Sequence, residues 1–242
     1  MKKKVFFIVA SLGAGGSERV FWLLAQGFDK RLFDVFIVHL GQGKSVFSSV
    51  LNDVKVIDLE TLRASKSFFK LLKLIRTEKP YAIFSTGAHI NVLVSTISLF
   101  AKIPNIIARE SNVYSEMADV RNKRFNFFKL LINIFYRRFN WIVCQSSEIS
   151  SSFLTSFHLP PGKLKIIPNP VKEVPTNIVK TQQDLKSLKK VLIVARLAPE
   201  KMHNRLLDIF ATLPSNYFLT IAGDGPCRER LVEQIHILGL SE

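Results

Sequence analysis

The chain has 242 residues, of which 48% are hydrophobic and 22% are charged, and its formal net charge is +15 at pH 7. This composition excludes a disordered chain, and the length provides for one large or two medium hydrophobic cores. Because no uninterrupted apolar run reaches about eighteen residues, the sequence predicts no membrane-spanning helix. The excess of positive charge favours an anionic partner such as nucleic acid, an anionic membrane or a phosphorylated substrate.

Two features of the sequence bear on the cellular compartment. Cys144 and Cys227 lie far apart and match no metal or redox spacing, which favours a reducing compartment. The lysines at 2–4 precede an apolar run and imitate a signal peptide, but the run is short and no A-x-A-like cleavage site follows Gly13. We therefore interpret these residues as a lead-in to a first buried strand. The predicted location is cytoplasmic, with peripheral attachment to the inner face of the cytoplasmic membrane left open.

In chain order, short apolar runs alternate with amphipathic stretches. The first block has predicted strands at Val5–Ala10, Val35–Leu40, Val54–Leu59, Ala82–Ser85, Asn105–Arg109, Trp141–Gln145 and Lys165–Ile167. Between them lie predicted helices at Ser17–Phe28, Ser65–Glu78, Asn91–Ala101, Asn122–Phe139 and Glu148–Phe157. This alternation predicts an α/β fold with a parallel sheet that is covered on both faces.

A polar, proline-containing run then separates this block from a second one, and its composition is typical of a linker. The second block has a predicted strand, helix, strand and helix at Val191–Ala195, Glu200–Leu213, Phe218–Ala222 and Pro226–Leu238. Two strands and two helices cannot cover both faces of a sheet, so we expect this domain to be incomplete. The predicted organisation is a first domain over 1–172, a linker over 173–189 and a partial second domain over 190–242.

The stretch SLGAGGSERV, residues 11–20, lies between the first predicted strand and the first predicted helix. A dinucleotide fingerprint would need glycine where Glu18 stands, and no Lys-Ser/Thr follows the glycines as in a P-loop. Gly15 and Gly16 still bring backbone N–H groups and the positive end of a helix to the carboxyl edge of the sheet, where α/β ligands bind. The alternative is a plain tight turn with Ser17 as the helix N-cap.

Four stretches in this order and spacing carry a resemblance to one family. They are GAGGSERVFWLLA, IIPNPV, LIVARLAPEK and LTIAGDGPCRERL. Two further stretches, FSTGAHINVLVS and IIARESN, also match. Over essentially its whole length, the chain therefore resembles the retaining glycosyltransferases of family four, the group 1 transferases of GT-B fold. The resemblance implies a Rossmann-like N-terminal domain that takes the acceptor, followed by an incomplete Rossmann-like domain that grips a nucleotide-sugar. It also implies a UDP- or GDP-sugar as donor substrate, without a cofactor or a metal.

The resemblance assigns roles to individual residues. Gly15 and Gly16 would lie against the donor diphosphate, and Arg196 and Lys201 would clamp it from the second domain as donor-binding and catalytic residues. A guanidinium fork and a compact ammonium suit phosphate oxygens and would stabilise the charge that grows on the leaving diphosphate. The alternative for these two cations is a solvated turn of a basic protein. His89 would contact the donor sugar as a further catalytic residue.

Arg109 and Glu110, at the end of a predicted strand, match a turn of the family and are acceptor-side candidates. They would position acceptor or sugar hydroxyls, and the alternative is a structural ion pair. The sequence departs from the family at Met202, where a glycine usually follows the clamp lysine. It also ends at Glu242, before the E-x7-E element that holds the donor sugar and ribose. We therefore expect a C-terminally truncated member of the family.

Two basic stripes indicate a surface partner. Arg63, Lys66, Lys70 and Lys73 recur at steps of three and four along one predicted helix. The segment 121–139 is amphipathic, rich in phenylalanine and basic at both ends. Residues 63–76 and 121–139 therefore resemble helices that lie on an anionic membrane, with core-facing helices that carry solvated lysines as the alternative. Nucleic acid is not the expected partner, because apolar residues interleave with the basic ones and no known motif occurs.

Taken together, these features predict a glycosyltransferase that moves a sugar from a nucleotide-sugar to a glycan or lipid-linked acceptor with retention. The expected setting is the synthesis of cell-surface polysaccharide or lipopolysaccharide. Two alternatives stay open. One is a truncated, catalytically inactive product that binds a membrane or a partner, and the other is a basic nucleic-acid-binding α/β protein.

Overall fold

The computed structural model describes residues 1–13, 15–42, 53–61, 64–112, 123–171 and 188–240. The chain divides into two compact units, Met1–Glu173 and Val174–Glu242. Each unit has its own parallel sheet and its own hydrophobic core. Most of the predicted linker lies outside the described residues, so its boundaries stay a prediction.

The first unit is built on a parallel sheet of seven strands. The strands are β1 Lys3–Ser11, β2 Phe33–Gln42, β3 Val54–Asp58, β4 Ala82–Thr86, β5 Asn105–Glu110, β6 Trp141–Cys144 and β7 Leu164–Ile166. The described helices are α1 Gly16–Gly27, α2 Phe68–Glu78, α3 Ala88–Ile97, α4 Lys123–Phe135 and α5 Ser147–Ser156. The strand order is β3-β2-β1-β4-β5-β6-β7, so the sheet grows in both directions from β1, as in a doubly wound Rossmann-like fold.

The alternation of side chains along β1 explains why this sheet is covered on both faces. Phe6 and Ile8 belong to a core cluster with residues of α2 and α3, whereas Phe7 and Val9 belong to a second cluster with Phe21 of α1. Successive strand residues point to opposite faces, and these four β1 side chains are at most 1% exposed. The predicted buried sheet is confirmed, and the carboxyl end of β1 lies in the middle of the sheet edge.

The second unit has two parallel strands, β8 Lys189–Val194 and β9 Tyr217–Ala222, and two helices, α6 His203–Phe210 and α7 Arg228–Ile237. Leu207 and Leu231 of the helices form a core with Leu197, against which β9 packs. Side chains such as Leu192 point the other way and are exposed. Within the described residues, the helices therefore cover one face of this small sheet.

Short 3-10 turns move two helix starts away from their predicted positions. The predicted helix Ser65–Glu78 opens with the turn Ala64–Ser67, and α2 begins at Phe68. The predicted helix Glu200–Leu213 opens with the turn Pro199–Lys201, and α6 begins only at His203. Met202, between the turn and the helix, has φ 54° and ψ 29°, the left-handed conformation that glycine adopts most easily. Met202 thus replaces glycine at a position whose backbone favours glycine.

We expect Met202→Gly to raise the free energy of unfolding of the second unit by about 1 kcal/mol. A left-handed L-residue costs roughly 1–2 kcal/mol, of which the greater freedom of glycine in the unfolded chain cancels a part. Urea unfolding would measure the change. Lys79→Gly is a matched variant, because Lys79 is also left-handed, with φ 49°, at the C-cap of α2. A clear loss of stability in Met202→Gly alone would show that contacts of the methionine side chain outweigh the backbone strain.

Candidate functional site

The candidate site of the first unit lies at the carboxyl edge of the seven-stranded sheet. The strand order changes direction between β1 and β4, and ligands of doubly wound sheets bind outside this switch point. The helix α1 begins here with Gly15 as its N-cap residue, and no described side chain caps it. The alternative of Ser17 as the N-cap is therefore wrong, because Ser17 lies within the first turn and its hydroxyl has partners in the fold.

A carboxylate covers the start of this helix in the structure. A Cβ atom placed on Gly15 would lie 2.0 Å from Oε2 of Glu18, whereas one placed on Gly16 would meet nothing within 4 Å. The negative side chain of Glu18 thus lies beside the positive end of the helix macrodipole, where it is favourable. An anion that bound to the backbone of Gly15 would have to displace this flexible side chain.

Arg109, at the end of β5, joins several elements at the carboxyl edge. Its Nη1 donates to Oγ of Ser17 at 3.2 Å and to Oγ1 of Thr86 at 3.3 Å. Its Nη2 donates to Oε1 of Gln145 at 3.0 Å and to Oδ1 of Asn169 at 2.7 Å. One guanidinium therefore connects the first turn of α1 with the ends of β4, β5 and β6 and with the segment after β7.

The charge of Arg109 is buried among neutral partners. The residue is 6% exposed, and all four of these acceptors are hydroxyl or amide oxygens. Burial lowers the pKa of Arg109, and the negative charges of Glu110 and Glu18 oppose that decrease. A buried cation without a hydrogen-bonded carboxylate leaves a positive potential beside α1, which suits an anionic ligand.

Glu110 points away from this cluster into a separate buried network. Nδ2 of Asn91 donates to Oε1 of Glu110 at 2.7 Å, and the hydroxyl of Tyr136 donates to the same oxygen. Oγ of Ser85 in turn donates to Oδ1 of Asn91 at 2.7 Å. Burial raises the pKa of Glu110 to about 7, although the bonds from Tyr136 and Asn91 and the charge of Arg109 act in the opposite direction. The side chains of Arg109 and Glu110 therefore have different hydrogen-bond partners, although the two residues are neighbours in sequence.

The raised pKa of Glu110 predicts a stability that falls as the pH rises. The pKa in the unfolded chain is close to 4.5, so between pH 4.5 and about 7 only the folded state holds the proton. The resulting loss of unfolding free energy is about 3 kcal/mol, and Glu110→Gln should remove it. Urea unfolding between pH 4.5 and 8 would measure it. The control Glu148→Gln alters an exposed glutamate whose pKa is lowered, so its effect has the opposite sign. Parallel pH profiles of wild type and Glu110→Gln would contradict the prediction.

His89 lies in the first turn of α3, directly after β4, at the same carboxyl edge. Gly87 begins this helix with φ 89°, and its backbone brings the His89 ring close: a Cβ on Gly87 would lie 3.5 Å from Cε1. The residue is exposed to solvent, and partial desolvation lowers the pKa of His89. His89 therefore lies at the same sheet edge as Arg109, three residues after Thr86 in the chain.

The candidate cations of the second unit lie at the carboxyl end of β8. Nη2 of Arg196 forms an exposed ion pair with Oε1 of Glu200 at 2.7 Å, and Lys201 ends the 3-10 turn that follows. The loop is fixed by the backbone N–H of Leu197, which donates to the carbonyl oxygen of Asp224 at 2.9 Å. Gly15 and Gly16 belong to the first unit, whereas Arg196 and Lys201 belong to the second, so their joint role at one diphosphate stays a prediction.

Sequence reasoning missed most of the residues that surround Arg109 and Glu110. Thr86, Gln145 and Asn169 each stand at or just after the end of an apolar strand, and that position is the signal that could have found them. Asn91 and Tyr136 offered no such signal, because each looks like an ordinary residue of a helix. Among the described residues there is also no cluster of three or more potential metal-ligating side chains.

The basic stripes occupy the surface of the first unit. Lys66 of the 3-10 turn before α2 and Lys73 of α2 are exposed, and Phe69 at the start of α2 is 79% exposed. Nη2 of Arg76 donates to the carbonyl oxygen of Phe100 at 2.9 Å, which connects α2 to the end of α3. Arg63 and the start of the second stripe lie outside the described side chains. None of the described helices is both long enough and apolar enough to span a membrane.

The fold and this edge define a Rossmann-like α/β protein whose polar side chains and helix start meet at a typical ligand-binding edge. Residues 14–173 match the family model described as Glycosyltransferase Family 4, and residues 176–242 match the one described as Glycosyl transferases group 1. The chain therefore belongs to Glycosyltransferase Family 4. The predicted family is confirmed.

Two curated relatives come from Campylobacter jejuni. The first, GalNAc-alpha-(1->4)-GalNAc-alpha-(1->3)-diNAcBac-PP-undecaprenol alpha-1,4-N-acetyl-D-galactosaminyltransferase, is 27% identical over 98% of this chain and 66% of its own length. The second, N-acetylgalactosamine-N,N'-diacetylbacillosaminyl-diphospho-undecaprenol 4-alpha-N-acetylgalactosaminyltransferase, is 25% identical over 99% of this chain and 68% of its own length. The chain thus spans about two thirds of the length of these relatives.

A solved structure shows the same fold. It is the crystal structure of Anabaena Alr3699/HepE in complex with UDP and glucose, which matches with a TM-score of 0.74 and 19% identity. The match covers 99% of this chain and 67% of the other. The predicted α/β, GT-B-like fold class is confirmed.

Proposed function

We propose that the chain carries the acceptor-side domain and part of the donor-binding domain of a retaining glycosyltransferase. Its substrates would be a UDP- or GDP-sugar and a glycan or lipid-linked acceptor, in the synthesis of cell-surface polysaccharide. The observation that carries this proposal is the pair of successive family matches over residues 14–173 and 176–242. The Campylobacter relatives support it, because they are named as transferases that act on undecaprenol-diphosphate-linked sugars.

The residues of the chain suggest how the donor would be held. The hydroxyl oxygen of the acceptor would form a bond to the anomeric carbon, and the bond from that carbon to the diphosphate would break. The diphosphate would leave with the electron pair and take up the proton of the hydroxyl. Arg196 and Lys201 would stabilise the charge on the leaving group, and the uncapped start of α1 at Gly15 and Gly16 would add backbone N–H groups. For this, Arg196 would exchange Glu200 for a phosphate and Glu18 would leave the helix start.

A transfer and hydrolysis assay with UDP- and GDP-sugars tests the proposal. Arg196→Ala should lower turnover about a hundredfold, because a charged donor to the developing anion is lost. Arg205→Ala, which removes an exposed arginine from α6 of the same unit, should leave turnover unchanged. Equal turnover in Arg196→Ala and wild type would remove the diphosphate clamp from the proposal. A wild-type chain that binds UDP without turnover would favour the alternative of an inactive product.

Peripheral attachment to an anionic membrane is part of the same proposal. Its support is the exposed apolar surface of Phe69 on α2, with Leu99 and Phe100 after α3 at 53% and 54% exposure, beside exposed lysines of α2. Such a surface suits an acceptor that is anchored in lipid. Two assays at physiological salt would test this attachment: flotation of the protein with anionic vesicles, and its retention on duplex DNA. Phe69→Ser should weaken vesicle binding, and a preference for DNA would favour the nucleic-acid alternative.

A further inference from the structure

The last two residues of β5, Arg109 and Glu110, point to opposite faces of the seven-stranded sheet. The residues before them show the alternation, because Ile107 belongs to the core cluster on the side of α1 and Ala108 to the cluster on the side of α3. Arg109 and Glu110 are 6% and 2% exposed. Each side chain forms a hydrogen bond with the first turn of the helix on its own face.

Arg109 holds the first turn of α1 through Ser17. The backbone N–H of Arg19 donates to the carbonyl oxygen of Gly15 at 3.0 Å, which closes the turn that contains Ser17. Nη1 of Arg109 donates to Oγ of Ser17 at 3.2 Å, and Oγ of Ser111 lies 3.5 Å from the same oxygen. No described side chain caps this helix. Arg109 and Ser111 therefore hold the turn from the side, where they do not use the N–H groups at its start.

Glu110 holds the first turn of α3 through Asn91. The backbone N–H of Asn91 donates to the carbonyl oxygen of Gly87 at 2.9 Å, which closes the turn that contains His89. The side chain of Asn91 is fully buried, and its Nδ2 donates to Oε1 of Glu110 at 2.7 Å. Its Oδ1 accepts from Oγ of Ser85 at 2.7 Å. Since no described side chain caps α3 either, the bond to Glu110 fixes the turn that carries His89.

The hydrogen bonds of Arg109 and Glu110 occupy these side chains within the fold. The two terminal nitrogens of a guanidinium carry four N–H groups, and Arg109 donates all four to hydroxyl and amide oxygens of its own chain. Oε1 of Glu110 accepts from two donors in a buried network. A direct contact with acceptor or sugar hydroxyls, which the family resemblance implies, would have to break bonds of this kind.

We propose that Arg109 and Glu110 are positioning residues of the transferase site, each for one of the two helix starts. Arg109 would fix α1, so that the N–H groups of Gly15 and Gly16 are preorganised for the donor diphosphate. Glu110 would fix α3, so that His89 is held for the donor sugar. Preorganised groups need no reorganisation at the moment of reaction, and that saving is what a loosened turn would lose. The inference rests on the proposed function and gives neither residue a contact with substrate.

Hydrogen exchange of the whole chain tests the two anchors without a ligand. Ser17→Ala should speed exchange of the Arg19 amide about tenfold and change that of the Asn91 amide less than about twofold, because the turns lie on opposite faces. Glu110→Met should have the reverse effect. Ser17→Thr and Glu110→Gln keep the hydroxyl and the acceptor oxygen, so both should exchange as the wild type does. The matched control Ser95→Ala, which removes a hydrogen bond further along α3, should change neither amide.

Titration with UDP and turnover of UDP-sugars give the functional measurement. Ser17→Ala should weaken UDP binding about fivefold, and Ser17→Thr should restore it, because the hydroxyl holds the helix start. Glu110→Met should lower kcat about tenfold and change KM less than about twofold, because His89 would act on the sugar and not on the nucleotide. Glu110→Gln should restore kcat, and Ser95→Ala should alter neither UDP binding nor turnover.

Three results would overturn the inference, and they separate it from the proposed function. Unchanged exchange in Ser17→Ala and Glu110→Met, in a chain that binds UDP, would remove the anchors and leave the proposed function intact. Equal loss of turnover in Glu110→Gln and Glu110→Met would give the carboxyl a direct catalytic role. A wild type that neither binds UDP nor turns over a UDP-sugar would contradict the proposed function, and selective exchange would then show anchors of the fold alone.

Discussion

Gly223→Ala is expected to unfold the second unit, with a cost of about 4 kcal/mol or more. A Cβ atom on Gly223 would lie 1.9 Å from the carbonyl oxygen of Ala195 and 3.0 Å from its carbonyl carbon. Both obstacles are backbone atoms, so no rotation of a side chain relieves the clash. The loops after β8 and β9 would have to separate, although the N–H of Ala195 donates to the carbonyl oxygen of Ala222 at 3.1 Å there.

The second unit has little stability with which to absorb this cost. Its core cluster, within the described residues, contains three buried leucines, Leu197, Leu207 and Leu231. Circular dichroism and urea unfolding would show whether the transition of this unit is lost. The control is Gly239→Ala, which has open space around its Cβ but a φ of 66°, so it should cost only about 1–2 kcal/mol. Equal losses of stability in the two variants would show that the backbone conformation of the glycine, and not its close approach to the backbone of Ala195, determines the cost of Gly223→Ala.

The sequence predicted the strands better than the helix starts, and the reason is physical. The central strands of the first unit, such as β1, are apolar runs buried on both faces, and the ends of all seven strands lie within two residues of the prediction. The start of α6 was missed because Met202 adopts a left-handed conformation that its residue type does not favour. The start of α1 was predicted to within one residue, but Gly15 and not Ser17 is its N-cap, and the hydroxyl of Ser17 instead accepts a hydrogen bond from Arg109.

Some residues of the candidate site could likewise be predicted from the sequence, and others could not. Gly15, Gly16 and Arg109 could be placed at the sheet edge from their positions after apolar strands. The partners of Arg109 could not, because Asn169 lies 60 residues away along the chain and Ser17 lies 92 residues away. The resemblance to the family supplied Arg196 and Lys201, but it gave no sign of the ion pair with Glu200. These features depend on contacts that arise only when the chain folds.

Arg109→Met is expected to destabilise the first unit by about 3 kcal/mol at pH 8 and by clearly less at pH 5. Methionine keeps most of the volume but removes four hydrogen bonds from a buried cation. It also removes the positive charge that lowers the pKa of Glu110, so the ionised carboxylate is left without that compensation. At pH 5 Glu110 is protonated in the folded state, and only the loss of hydrogen bonds remains.

Arg109→Lys separates the two contributions, because lysine retains the charge but not the planar fork that reaches four acceptors. Its loss of stability should therefore depend little on pH, whereas that of Arg109→Met should grow between pH 5 and 8. Hydrogen exchange adds a local measurement, since Asn169 contacts Arg109 and Gln145. Faster exchange in residues 167–171 is expected in both variants. A loss of stability in Arg109→Met that is the same at both pH values would show that Arg109 acts through its hydrogen bonds alone and leaves the charge of Glu110 unaffected.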